Sequence, residues 1–159
     1  MLKLATKFAP QPAEFGRAAD AGYQFAELWL DVSWLDRWQE ITREAGRHAI
    51  DYALHFPNRG DVGDEPLQAV VHLYDALGCS ALVIHAPMYR RYGERLLEFA
   101  PTLRLAVENH RLNLEDFNRW ANENRWLTLD VEHLWKLTLR DAPFDALLEI
   151  LSDFLDRYG

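Results

Sequence analysis

Leu103 to His133 read LRLAVENHRLNLEDFNRWANENRWLTLDVEH, and this stretch decides the fold. Two short apolar runs, LRLAV and WLTL, end in residues that can bind a metal: Glu108-Asn109-His110 and Asp130-Val131-Glu132-His133. Between them, apolar residues recur at helical spacing after Asn113, which is predicted to be the N-cap. The stretch therefore indicates a strand, a helix and a second strand. Because strands joined by a helical crossover run parallel, both polar clusters are expected at one sheet edge, where parallel α/β folds carry their active sites.

The rest of the chain repeats this alternation of strand and helix. Strands are predicted at residues 2–8, 24–30, 51–56 and 81–84, and a last helix is predicted to begin at Pro143. The third and fourth strands end alike, in His55-Phe56-Pro57 and His85-Ala86-Pro87. No glycine-rich phosphate loop follows the first strand. Six strand–helix units of this kind favour an α/β fold of the (β/α) TIM-barrel type over a doubly wound sheet.

The length of the chain bears on how much of a barrel it forms. A complete barrel has eight units in about 250 residues, whereas this chain has 159. We expect a single domain, residues 1–159, with six of the eight units, and Gly159 falls where a helix would lead to a seventh strand. The first and sixth strands would then lie at open edges. Open strand edges favour association, so a homo-oligomer is expected.

Composition excludes several classes of function. The net charge of −8 counts against nucleic-acid binding. The basic doublet Arg90-Arg91 is interpreted as a solvated loop, with attraction of a phosphate above the site as the alternative. Lys7 interrupts the N-terminal apolar stretch, which therefore resembles neither a signal peptide nor a membrane anchor. The one cysteine, Cys79, excludes an internal disulfide and fits a reducing cytosol. A cytoplasmic protein with no membrane partner is expected.

The strand ends as a set resemble a known family. The ordered series His55-Phe-Pro, His85-Ala-Pro, Glu108-Asn-His and Asp130-x-x-His133 is similar to that of the xylose isomerase-like TIM barrels. That family contains sugar-phosphate isomerases and epimerases and the type IV apurinic endonucleases. The resemblance covers essentially the whole chain, as the first six of eight units. The family also uses a histidine of strand seven and a glutamate of strand eight, which have no counterpart in these six units.

The resemblance implies roles for individual residues. Glu108 and Asp130 would bind a divalent metal, namely Mn²⁺, Mg²⁺ or Zn²⁺. His133 would contact substrate, as in the epimerases, or a further metal, as in the nucleases. His55 and His85 match positions that contact substrate or metal.

The residue types support such chemistry independently of the family. Carboxylates and imidazoles on neighbouring strand ends can converge on one cation, which polarises a hydroxy-carbonyl substrate. A positioned side chain can then move the α-proton. We expect a sugar or sugar-phosphate isomerase or epimerase in which Glu108 and His133 are catalytic and Glu27, inside the second strand, is a candidate substrate contact. The alternatives are a metal-dependent apurinic endonuclease and a non-catalytic barrel fragment.

Each candidate also has a purely structural interpretation. Glu108 can be a capping or salt-bridged acid, and Asp130 can cap a short helix. His55 and His85 can be core histidines with satisfied hydrogen bonds. His110, one residue beyond its strand, is interpreted as a loop residue.

Overall fold

The computed structural model describes residues 4–158, and its core is one parallel sheet. The strands are β1 (Thr6–Phe8), β2 (Phe25–Trp29), β3 (Asp51–His55), β4 (Leu82–His85), β5 (Leu105–Glu108) and β6 (Leu127–Thr128). They lie side by side in sequence order, and every neighbouring pair is parallel. A sequential parallel order with helical connections is the arrangement of a (β/α) barrel, whereas a doubly wound sheet reverses its strand order. The predicted α/β fold of TIM-barrel type is confirmed.

Helices connect the strands and cover the outer face of the sheet. They are α1 (Pro12–Asp20), α2 (Val32–Leu35), α3 (Trp38–Ala45), α4 (Asp64–Ala76), α5 (Ala86–Phe99), α6 (Leu114–Glu123), α7 (Val131–His133) and α8 (Phe144–Tyr158). A π-helical turn, Leu134–Thr138, directly follows α7. The predicted cap of α6 is confirmed, because the Asn113 side chain accepts a hydrogen bond from the Asp116 N–H at 2.8 Å. No helix within residues 4–158 is long and apolar enough to cross a membrane.

One contact shows that the sheet is curled. Lys7 on β1 and Glu108 on β5 approach to 3.3 Å between Nζ and Oε1. Four strand spacings separate β1 from β5, about 19 Å in a flat sheet, which these two side chains could not span. The six strands therefore curve into a half-barrel, and side chains from distant strands meet on its concave face.

The two faces of the sheet have different chemistry because side chains alternate along a strand. On the convex face, large apolar residues pack beneath the helices and are fully buried, as Leu28, Leu54 and Leu82 are. On the concave face, the ends of the strands carry polar residues. The hydrophobic core thus lies between sheet and helices, and the concave face is left for the candidate site.

Three sequence-based boundaries need correction. The first strand was predicted over residues 2–8 but spans Thr6–Phe8, and residues 2 and 3 lie outside the described range, as does Gly159. The sixth strand has two residues instead of four, because the chain beyond it is held by a side chain rather than by ladder hydrogen bonds. Arg90 and Arg91 lie within α5 and not in a loop, since that helix begins directly after β4 with a proline in its first turn.

Candidate metal centre

The last residues of three strands form the centre of the site. His55 ends β3, His85 ends β4 and Glu108 ends β5, and the sheet register places His85 directly beside Glu108. All three are nearly inaccessible, with exposed fractions of 1%, 9% and 2%. Burying a carboxylate this deeply is costly unless partners compensate its charge. The surroundings of Glu108 supply such partners on both of its oxygens.

One oxygen of the Glu108 carboxylate, Oε2, faces the two histidines. His85 Nε2 donates to Glu108 Oε2 at 2.6 Å, and His55 Nε2 lies 3.4 Å from the same oxygen. The other nitrogen of His55, Nδ1, lies 2.9 Å from the Phe56 carbonyl oxygen, which can only accept, so Nδ1 carries a proton. Nε2 donates to the carboxylate when the ring is doubly protonated, and in the neutral ring it carries a lone pair that faces the carboxylate. Two acceptors in this arrangement require a proton or a metal cation between them, and a backbone carbonyl that orients the far nitrogen is usual for metal-binding histidines.

The other oxygen of Glu108, Oε1, faces Lys7, which was not predicted to be a functional residue. Lys7 Nζ lies 3.3 Å from Glu108 Oε1 and 2.8 Å from Glu27 Oε1, so it bridges two acids. Lys7 and Glu27 are register partners on β1 and β2, which brings Glu27 to the concave face. Burial alone would lower the pKa of Lys7, but the charges of Glu27 and Glu108 outweigh it and raise the pKa. The signal in the sequence was a charged residue inside an otherwise apolar strand.

The protonation of Glu108 follows from these contacts. Burial alone would raise the pKa of its carboxyl group. The contacts with His55 and His85 and the charge of Lys7 outweigh burial and hold the pKa well below its ordinary value. Glu108 is therefore ionised at neutral pH, as a metal ligand must be.

Two further histidines extend the cluster beyond the strand ends. The His110 ring stacks on His85, with centroids 4.2 Å apart and planes 6° apart, and it lies 4.6 Å from the His133 ring. His133 Nδ1 is 3.9 Å from Glu108 Oε2 and 3.6 Å from Asp130 Oδ2. Burial, followed by the neighbouring His85 and His133, lowers the pKa of His110 to about 4. His110 does lie in a loop, as expected, yet its ring belongs to the cluster.

Asp130 lies at the start of α7, where both its side chain and its backbone make hydrogen bonds. Its Oδ1 accepts a hydrogen bond from the His133 N–H at 2.9 Å, so Asp130 is the N-cap of α7. Its backbone is clamped by Asn109, which is fully buried: Asn109 Nδ2 donates to the Asp130 carbonyl at 3.0 Å, and Asn109 Oδ1 accepts from the Asp130 N–H at 2.6 Å. This clamp places His133 against Glu108. Sequence reasoning missed Asn109, because a buried asparagine after a strand has no periodic signature.

Within residues 4–158, two groups of three residues could hold a metal ion. They are His55, His85 and Glu108, and Glu108, His110 and His133; in each group the ligand atoms lie within 4.8 Å of one another. Asp130 belongs to neither group. The structure thus brings Glu108 together with four histidines. Glu108 and Asp130, which were predicted to bind a metal together, do not occur in the same group.

The first group fits a divalent cation by its donor chemistry and spacing. Two imidazoles and one carboxylate form a known zinc ligand set, which leaves an open position for water or substrate. Ligand atoms around tetrahedral zinc lie about 3.4 Å apart. The His55–Glu108 distance of 3.4 Å already matches this spacing. The 2.6 Å His85–Glu108 contact is a hydrogen bond that would have to open, with loss of the proton between the two atoms.

Comparison with known proteins adds little to this chemistry. No family model matches the chain, and no curated protein matches it. Among solved structures, it is similar to an aldo-keto reductase enzyme from a Medee basin deep-sea metagenome library, with 17% sequence identity and a TM-score of 0.45. The match covers 80% of this chain and 51% of that one, so the chain spans about half the length of that protein. The functional argument therefore rests on the site.

Proposed function

We propose that this chain binds a divalent transition-metal cation through His55, His85 and Glu108. With this cation, the chain would act as a sugar or sugar-phosphate isomerase or epimerase of the xylose isomerase-like type. The observation that supports the proposal is the buried Glu108 carboxylate, which faces two strand-end histidines whose ring nitrogens lie within 4.8 Å of it and of each other. A ligand set of two imidazoles and one carboxylate favours Zn²⁺ over Mg²⁺.

The residues around the cation have separable tasks in proton transfer next to a carbonyl. A cation bound there supplies a Lewis acid for the substrate oxygen atoms. Glu108 serves as a ligand rather than as a proton carrier, because its lowered pKa makes it a weak base. Lys7, whose side chain is 37% exposed, can donate a hydrogen bond to an oxygen on which negative charge develops. Glu27 is the second carboxylate of the concave face and is the candidate for moving the α-proton.

Metal binding is the first experiment. Calorimetric titration of Zn²⁺ and Mn²⁺ into the wild type should show binding that Glu108→Gln and His55→Phe abolish or weaken strongly. Asp130→Asn should retain it, because Asp130 lies outside both ligand groups. Equal heats in the wild type and Glu108→Gln would refute the proposed site. Loss of binding in Asp130→Asn would instead favour a site built on Glu108 and Asp130.

The reaction needs a separate experiment. With metal present, the protein should exchange the α-proton of a ketose or ketose phosphate with solvent deuterium, as followed by NMR. Glu27→Gln should lose exchange while it retains metal binding. Cleavage of an abasic DNA duplex without sugar exchange would favour the endonuclease alternative, and a steep dependence on salt should accompany it. The absence of both activities in a metal-loaded protein would contradict the proposed reaction but leave the metal site standing.

A further inference from the structure

We propose that Tyr92 is a positioning residue of the candidate metal centre. Its hydroxyl group anchors the loop after β3 to α5, and the anchored loop fixes the Phe56 carbonyl group that orients the His55 ring. The inference rests on the proposed function, in which His55 is a metal ligand, and it names a residue that lies outside both ligand groups. Tyr92 acts through the loop and not as a ligand.

The Tyr92 hydroxyl group makes two hydrogen bonds to the loop after β3. It donates to Asp61 Oδ1 at 2.7 Å and accepts from the Val62 N–H at 3.0 Å. Tyr92 and Val62 are both buried, so water does not readily replace the bond between them. Arg91, the neighbour of Tyr92 on α5, adds a contact of 2.8 Å to Asp61 Oδ1, but its side chain is exposed. The buried hydroxyl group is therefore the main anchor of this loop.

The loop depends on this anchor because its backbone is not part of the sheet. Within residues 4–158, no backbone group from Pro57 to Val62 is bonded to another backbone group. The last bond from this segment to β4 runs from the Phe56 N–H to the Val83 carbonyl oxygen at 2.8 Å. The Phe56 carbonyl belongs to the next peptide group, whose nitrogen is that of Pro57 and has no hydrogen to donate. The path of the loop therefore sets the orientation of the Phe56 carbonyl.

The Phe56 carbonyl in turn orients His55. Its oxygen lies 2.9 Å from His55 Nδ1, which donates to it, so Nε2 is the nitrogen directed at the carboxylate or a cation. The Phe56 ring is buried and packs against the Tyr92 ring, with centroids 5.7 Å apart. Tyr92 thus holds this segment twice, through its ring and through its hydroxyl group.

The same contacts couple the two strand-end histidines. Helix α5 begins directly after His85, which is its N-cap, and Tyr92 lies in the second turn of this helix. The loop that Tyr92 holds follows His55 and Phe56. Hydrogen bonds between α5 and the loop therefore limit the movement of His55 relative to His85. Ligands whose separation is fixed in advance lose less freedom when they bind a cation.

Tyr92→Phe tests the proposal, because it removes the hydroxyl group and keeps the ring that packs on Phe56. In the metal-free protein, ¹⁵N NMR detects the His55 Nδ1–H. Its exchange with solvent should become about ten-fold faster in the variant, because the loss of two hydrogen bonds favours local opening. Zn²⁺ affinity, measured by competition with a chromophoric chelator, should fall about ten-fold. The matched control is Tyr52→Phe, in the same strand as His55, which removes a buried hydroxyl group that donates to the Ala45 carbonyl at 3.2 Å; both readouts should stay unchanged.

Two variants of Asp61 test the other side of the contact. Asp61→Ala removes the acceptor of the Tyr92 hydroxyl group and should shift both readouts in the same direction by a smaller factor, because the Val62 bond remains. Asp61→Asn keeps an acceptor oxygen and should restore the wild-type values. Because Asp61 is exposed, these variants decide the proposal where Tyr92→Phe fails to fold.

The outcomes separate this inference from the proposed function. An unchanged exchange rate of the His55 Nδ1–H in folded Tyr92→Phe would overturn the positioning role, as would an equal effect of Tyr52→Phe. Faster exchange with unchanged Zn²⁺ affinity would also overturn it, since the loop would then move without disturbing the ligand set. A wild type that binds no Zn²⁺ would contradict the proposed metal centre, and the exchange rates alone would then decide whether Tyr92 orients His55.

Discussion

Removal of the Asn109 clamp should weaken the fold at one defined place. The side chain is fully buried and makes two hydrogen bonds to the backbone of Asp130, of 3.0 Å and 2.6 Å. In Asn109→Ala both backbone groups lose their partner. A buried group left without its partner costs about 1–3 kcal/mol, and Asp130 is only half-buried, so water replaces part of the loss. We expect the free energy of unfolding to fall by about 2–4 kcal/mol.

Urea unfolding monitored by tryptophan fluorescence measures this change. For a small domain with a slope of roughly 2 kcal/mol per molar urea, the midpoint should fall by about 1–2 M. The matched control is Asn122→Ala. The Asn122 side chain also makes two hydrogen bonds, to the Asn118 carbonyl and the Tyr158 hydroxyl, but it is exposed. Its replacement should change stability by less than about 0.5 kcal/mol, because water restores both bonds.

Hydrogen exchange locates the effect. In the wild type, the Asp130 N–H is bonded to Asn109 and the His133 N–H to Asp130, so both amides should exchange slowly. In Asn109→Ala these two should lose protection while the amides of β3 and β4 retain theirs. Equal unfolding midpoints for Asn109→Ala and Asn122→Ala would refute the clamp. Uniform loss of protection would show that the residue supports the whole sheet instead.

Four other features give shorter predictions. Gly78 lies at φ +58°, where a side chain is strained, so Gly78→Ala should lower the free energy of unfolding by about 1 kcal/mol. Gly16 lies inside α1 with free space around it, so Gly16→Ala should be neutral or stabilising; thermal unfolding measures both changes. Cys79 is buried, and burial raises the pKa of its thiol to about 12, so a thiol reagent should label it only on unfolding. Folding lowers the pKa of Glu108 from its ordinary value of 4.5, so the ionised carboxylate stabilises the folded state. This contribution is complete above pH 4.5 and is lost as the pH falls below it. From about pH 6 to about pH 3, the wild type should therefore lose more stability than Glu108→Gln in urea titrations. Strands β1 and β6 end the sheet, so light scattering at high micromolar concentration should detect association; a monodisperse monomer would contradict this.

The elements of the fold could be predicted because their signals are local. The apolar run at residues 81–84 predicted a strand, and every residue of β4 is buried, as is typical of strands covered on both faces. The spacing after Asn113 and its capping side chain predicted α6. The order of strand and helix then determined which residues end neighbouring strands. For this reason the sequence was sufficient to place His55, His85 and Glu108 at one edge, although their mutual distances needed the structure.

The other members of the cluster depend on contacts that the sequence does not signal. Lys7 reaches Glu108 only because the sheet curls, and curvature is a property of all the strands together. His110 returns over His85 where the next residue, Arg111, has a left-handed backbone at φ 54°. Glycine would have signalled such a turn, whereas arginine does not. Asp130 caps α7 through its side chain, as its structural interpretation predicts, and its part in metal binding stays a prediction.

The two halves of the cluster consequently differ in how firmly they are held. His55, His85 and Glu108 are last residues of ladder-paired strands, so sheet hydrogen bonds set their positions before any ligand binds. His110 and His133 lie beyond the strand ends, where the Asn109 clamp and the α7 cap replace the ladder. Ligands held by paired strands lose less freedom when they bind a cation than ligands held by loop contacts. The three strand-end residues should therefore bind the proposed cation with little rearrangement, whereas the position of His133 against Glu108 should depend on the Asn109 clamp.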